Sequence, residues 1–123
     1  MTEVDSQATH PFLLALGLSW LGMLAHDLVE FGLPSPQNSL PFFFAVLILA
    51  AGWWKMPGHR KTIKFLSYAL IALNLLGAIT SVLPLALWPF FPEQSLTHYA
   101  VHIFWALSQV PLLRFLITIR ING

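Results

Sequence analysis

Long apolar runs alternate with short proline-marked breaks along this chain, and the pattern predicts an all-α membrane protein. Four spans follow: about Pro11 to Phe31, Leu40 to Trp54, Thr62 to Leu87 and Leu96 to Ile119. Each break has a chemical cause, because proline lacks an amide donor and pushes the residue before it out of the helical region. The breaks are Leu33-Pro34-Ser35-Pro36, Met56-Pro57-Gly58 and Trp88-Pro89-Phe90-Phe91-Pro92. Span two is the shortest. At about 1.5 Å per residue it barely covers a hydrocarbon core of roughly 30 Å, so a re-entrant segment is an alternative there. The expected architecture is a single domain over residues 1–123, four transmembrane helices in an up-down antiparallel bundle.

Helical phase gives these spans a direction. At about 100° per residue, Ala15, Ser19, Gly22, His26 and Glu30 share one stripe of span one, while Asp27 falls on its flank. His98, His102, Trp105 and Gln109 form a stripe on span four, and Ser67, Asn74, Ala78 and Ser81 one on span three. Small and polar residues on one face are what membrane helix interfaces use. Ser19, Asn74 and Gln109 are therefore expected as polar residues of the interior. Span two shows no such stripe and is expected to face lipid or another subunit. Pro111 is expected to kink span four beside Gln109.

Composition supports the membrane reading. Of 123 residues, 57% are hydrophobic and 9% charged, too few charges to coat a soluble fold. The chain has no cysteine, which removes thiolate nucleophiles, thiolate metal ligands and disulfides. Its formal net charge of +1 offers no basic patch for nucleic acid. The first ten residues are acidic where a secretory signal would be basic, so the first span is expected to be retained.

Charge asymmetry sets the orientation. Lys55, Arg60, Lys61 and Lys64 cluster between spans two and three, while the other two loops carry no Lys or Arg. By the positive-inside rule that junction and both termini are cytoplasmic, in what we expect to be a prokaryotic inner membrane. Trp53 and Trp54 are expected in the inner aromatic belt, and Trp88 in the outer one.

Candidate chemistry follows from depth. His26 lies roughly 22 Å from the inner end of an outward span, and His102 roughly 9 Å below the outer end of an inward one, so the two share a level. Glu30 and His98 sit one turn above them. Ionisable groups inside a membrane are costly and are usually kept for function. Imidazole and carboxylate together suit zinc, copper or iron, which makes His26, Glu30, His98 and His102 candidate metal ligands. His26 and His102 are also candidate axial ligands of a b-type haem, provided the helices spread. Asp27 and Glu30 are candidates for a proton relay. Against all three stands plain hydrogen bonding that fixes the bundle's register. No hydrolase triad, P-loop or dinucleotide fingerprint is present.

In size and hydropathy, four spans with almost no extramembrane mass, the chain resembles small anchor or accessory subunits of respiratory and photosynthetic complexes. That resemblance implies a non-catalytic subunit of a larger membrane assembly that handles electrons or protons, partnered by lipid and other membrane subunits. The alternative is an independent small transporter or membrane oxidoreductase built on the histidine and carboxylate cluster.

Overall fold

A computed structural model describes residues 3–87, 89 and 92–121, with side chains from residue 8 onward. The chain folds into α1 (Glu3–Phe31), α2 (Ser39–Lys55), α3 (Arg60–Thr80), α4 (Leu96–Leu107) and α5 (Val110–Thr118). One 3-10 turn, Pro57–His59, joins α2 to α3, and no strand occurs among the described residues. Three stretches, Ala8–Phe31, Pro57–Thr80 and Leu96–Thr118, are long and apolar enough to cross a membrane. The fourth, Ser39–Lys55, is a shorter apolar helix of 17 residues, about 25 Å long. Many large side chains point away from the protein interior, among them Ile48, Phe65, Leu73, Ile103 and Ile117, each at least 60% exposed. Such a surface is compatible with lipid contact.

The helices run alternately up and down. Phe12 at the start of α1 stacks on Trp53 at the end of α2, with ring centroids 4.2 Å apart, while Trp20 further along donates its Nε1–H to the Ser39 carbonyl. Lys64 early in α3 reaches the Ile119 carbonyl beyond α5, and Asn74 late in α3 meets Trp105 in α4. α1 packs against α2, α4 and α5, and α3 packs against α2, α4 and α5. Most of the apolar core sits at the basic end, where Phe12, Leu16, Trp53, Ile63, Leu112 and Leu116 are buried together. The opposite end holds the polar residues and a small apolar cluster of Met23, Ala78 and Trp105.

The structure corrects the sequence expectations in four places. α3 stops at Thr80, short of the expected Leu87: Pro84 disfavours helix at Leu83, and the Ser81 hydroxyl bonds back to the Gly77 carbonyl at the helix end. Span four is broken rather than merely kinked. Ser108 and Gln109 separate α4 from α5, and Pro111 falls in the first turn of α5, where its missing N–H costs nothing. Trp53 belongs to the core with no exposed surface, while its neighbour Trp54 is 53% exposed, and Trp88 lies outside the described residues. α2 is not a bare lipid-facing helix either. Val46, Leu49 and Trp53, spaced i, i+3 and i+7, are buried in the core, and its apolar exposed side had masked that stripe.

Close approach of α1 and α4 depends on Gly22. A Cβ built there would lie 1.9 Å from Ser108 Oγ and 3.0 Å from the Trp105 Cα, so only glycine fits. This contact holds the two helices that carry the histidines.

Candidate metal centre at the polar end

Three histidines meet where α1, α3 and α4 converge. The imidazole of His26 stands 4.6 Å from that of His102, and His102 stands 4.4 Å from His98, centroid to centroid. All three are at least nine-tenths buried. They line a cavity of about 450 Å³ together with Glu30, Glu93 and Trp105.

Every one of these rings is anchored through Nδ1. His98 Nδ1 lies 2.8 Å from Glu30 Oε1, and His26 Nδ1 lies 3.1 Å from Asp27 Oδ1. His102 Nδ1 lies 2.8 Å from the Ala78 carbonyl. A carbonyl only accepts, so His102 must carry its proton on Nδ1, and an ionised carboxylate imposes the same tautomer on the other two. In a neutral imidazole so anchored, Nε2 carries the lone pair. The Nε2 atoms of His98 and His102 are buried with no hydrogen-bond partner. Anchored Nδ1–H with an open Nε2 is the arrangement in which proteins present histidine to a metal.

The Ala78 carbonyl is available because α3 ends at Thr80. The last four carbonyls of a helix have no partner within it. Gly77 is served by Ser81, and Ala78 by His102.

Asp27 lies on the α2 side of α1 and is fully buried. Its Oδ2 accepts the backbone N–H groups of Ser35 and Ser39, at 3.1 and 3.2 Å. Asn38, the N-cap residue of α2, makes no side-chain cap, so Asp27 supplies that cap from a neighbouring helix. The carboxylate therefore has a structural duty in addition to holding His26.

The remaining polar residues pair with one another. Gln109 Nε2 donates to the Ser19 carbonyl at 3.1 Å and Ser19 Oγ donates to Gln109 Oε1, which ties α1 to the break between α4 and α5. Asn74 Nδ2 donates to the Leu70 carbonyl, and its Oδ1 accepts the Trp105 indole N–H at 2.7 Å. These bonds bury Gln109, which is 1% exposed.

Two expectations about ligation change. Haem axially held by His26 and His102 is not accommodated: the rings meet edge to face at 80° across 4.6 Å, which leaves no gap for a macrocycle. The helices have not spread. Among the described residues, the grouping that brings one ligand atom from each of three side chains within 4.8 Å is Glu30, Glu93 and His98. Glu93 belongs to the connection between α3 and α4, where no periodicity marks which way a side chain points, so no sequence signal identifies it. All four expected ligands, His26, Glu30, His98 and His102, line the same cavity, and Glu93 joins them there. No protein-family model, no curated protein and no solved structure matches this chain.

Proposed function

We propose that this chain is a four-span integral membrane protein that holds a transition metal ion in the cavity at its polar end. In this reading that end faces outward and both termini, with the basic junction Lys55 to Lys64, are cytoplasmic. The observation that carries it is the pair of buried, unpartnered Nε2 atoms of His98 and His102, each on a ring fixed through Nδ1. An unsatisfied buried polar atom costs about 1–3 kcal/mol, and a bound ion removes that cost twice here.

His98 and His102 supply nitrogen through Nε2 and Glu93 supplies oxygen, while Glu30 anchors His98 from behind and His26 closes the wall with Asp27 behind it. Two imidazoles with a carboxylate suit zinc, copper(II) or iron(II). Protein purified in detergent, incubated with zinc and freed of excess ion, should retain about one equivalent by elemental analysis. The double variant His98→Ala/His102→Ala should retain none. Equal retention by the two proteins overturns the site.

A second reading, a non-catalytic subunit of a larger membrane assembly that handles electrons or protons, is favoured by a different observation. Ala25 and Val29 of α1 and Thr97, Ala100 and Val101 of α4 line an open apolar groove of about 520 Å³ flanked by the exposed side chains of Leu96 and Phe104, a surface suited to packing against another helix. Native-gel separation after mild solubilisation tests it. Co-migration with other membrane polypeptides supports the subunit role, and a free monomer counts against it.

A further inference from the structure

At the basic end, α3 presents Lys61, Lys64 and Tyr68 on one face, spaced i, i+3 and i+7. With Phe65 and Ile121 they line a cavity of about 340 Å³ between α3 and the C-terminal segment. Three features make it suited to an anion. Lys64 is held in place by its bond to the Ile119 carbonyl at 3.0 Å, and an ammonium carries three donors, so one bond fixes it without exhausting it. Arg60, Lys61 and Lys64 all fall within the first turns of α3, where the positive end of the helix dipole disfavours cations and favours an anion. Among the described residues no carboxylate lines the cavity, and Asp27, Glu30 and Glu93 lie at the opposite end.

The apolar wall decides the source of that anion. Phe65 is 71% exposed and follows the lysines along α3 toward the hydrophobic middle of the protein. A soluble phosphate would make no use of it. An acyl chain would. We propose that this cavity is a binding site for the headgroup phosphate of an anionic phospholipid, with Lys61, Lys64 and the Tyr68 hydroxyl as donors and Phe65 against the first methylenes of one chain. Basic pockets beside transmembrane helices recognise anionic headgroups by this chemistry.

Native mass spectrometry of the intact detergent-solubilised protein tests it, with phosphatidylglycerol, phosphatidylcholine and inorganic phosphate as separate probes. Each lysine near an anionic headgroup contributes about fivefold in affinity. Retention of phosphatidylglycerol should exceed that of phosphatidylcholine, and Lys61→Gln/Lys64→Gln should lower it by roughly tenfold or more. Lys55→Gln, which removes the same charge from a lysine lying over Trp54, should leave it unchanged. Lys64→Arg, which keeps the charge and the reach to Ile119, should retain the lipid, and thereby separates loss of charge from loss of fold. Equal retention of the two lipids, an effect of Lys55→Gln equal to that of the double variant, or displacement of phosphatidylglycerol by millimolar phosphate would overturn the proposal.

Discussion

The Nδ1 of His102 lies 2.8 Å from the carbonyl oxygen of Ala78, so one imidazole both closes the end of α3 and lines the polar cavity, keeping a buried Nε2 without a hydrogen-bond partner. These two duties separate by substitution. Asparagine places an amide N–H near the position of Nδ1 and offers nothing at Nε2. His102→Asn should therefore keep the Ala78 bond and stay within about 1 kcal/mol of the parent, while losing at least tenfold in zinc affinity. His102→Ala should lose both, at about 1–3 kcal/mol of stability from the orphaned carbonyl. Thermal unfolding in detergent and zinc titration read the two effects independently. Unchanged zinc affinity in His102→Asn would remove His102 from the ligand set.

Asp27 poses a different choice, between proton exchange and capping. Its Oδ2 accepts two backbone N–H groups, and hydrogen bonds to a charged group contribute about 1.5–3 kcal/mol each. Asp27→Ala should cost roughly 3 kcal/mol and expose residues 32–38 to proteolysis. Asp27→Asn retains one acceptor oxygen and should recover about half of that loss. Equal protease resistance in Asp27→Ala and the parent would show that the cap carries no weight, and would return Asp27 to the proton-relay role.

Much of this arrangement was legible in the sequence because helical phase is a local property. The stripe Ser19, Gly22 and His26 needed only a period of 3.6, and all three are buried against α4 or its flanks. The level shared by His26 and His102 followed from counting residues from the span ends. Asp27 was harder. Its position on the flank was readable, but the N-terminus of α2 that fills that flank depends on a loop folding back to the level of α1's last turns. Glu93 and the Ala78 carbonyl were not readable at all, since both depend on where α3 ends, and apolar residues past Thr80 hid that end. Trp53 was misplaced for a similar reason: a tryptophan near a span end suits the interface as well as the core, and only Phe12 across the bundle decides between them.

Gly22 should be intolerant of any side chain. A Cβ there meets the Ser108 Oγ at 1.9 Å, which turning the hydroxyl relieves, and the Ser108 Cβ at 2.7 Å, which with Ser108 in place only helix separation relieves. Gly22→Ala should destabilise by about 1–3 kcal/mol, as overpacking typically does. Ser108→Gly removes both of the closest atoms, so the double variant should recover most of the loss and leave only the 3.0 Å approach to Trp105 Cα. A double-mutant cycle by thermal unfolding reads this coupling directly. Additive losses would place the α1–α4 contact elsewhere.

By the positive-inside rule, four of the six Lys and Arg residues, lying from Lys55 to Lys64, predict that this junction is cytoplasmic. The chain has no cysteine, so single introduced thiols report without background. Position choice matters, because Ser35 in the connection from α1 to α2 is only 6% exposed and would label poorly from either side. Gln37 in the same connection and His59 at the basic junction are exposed. Gln37→Cys in intact cells should react with a membrane-impermeant maleimide, whereas His59→Cys should react only after permeabilisation. The polar cavity then opens outward and exchanges ions with the outside, while the Lys61 and Lys64 pocket meets the inner leaflet. The reverse labelling pattern would invert both assignments together, since the two sites lie at opposite ends of one set of packed helices.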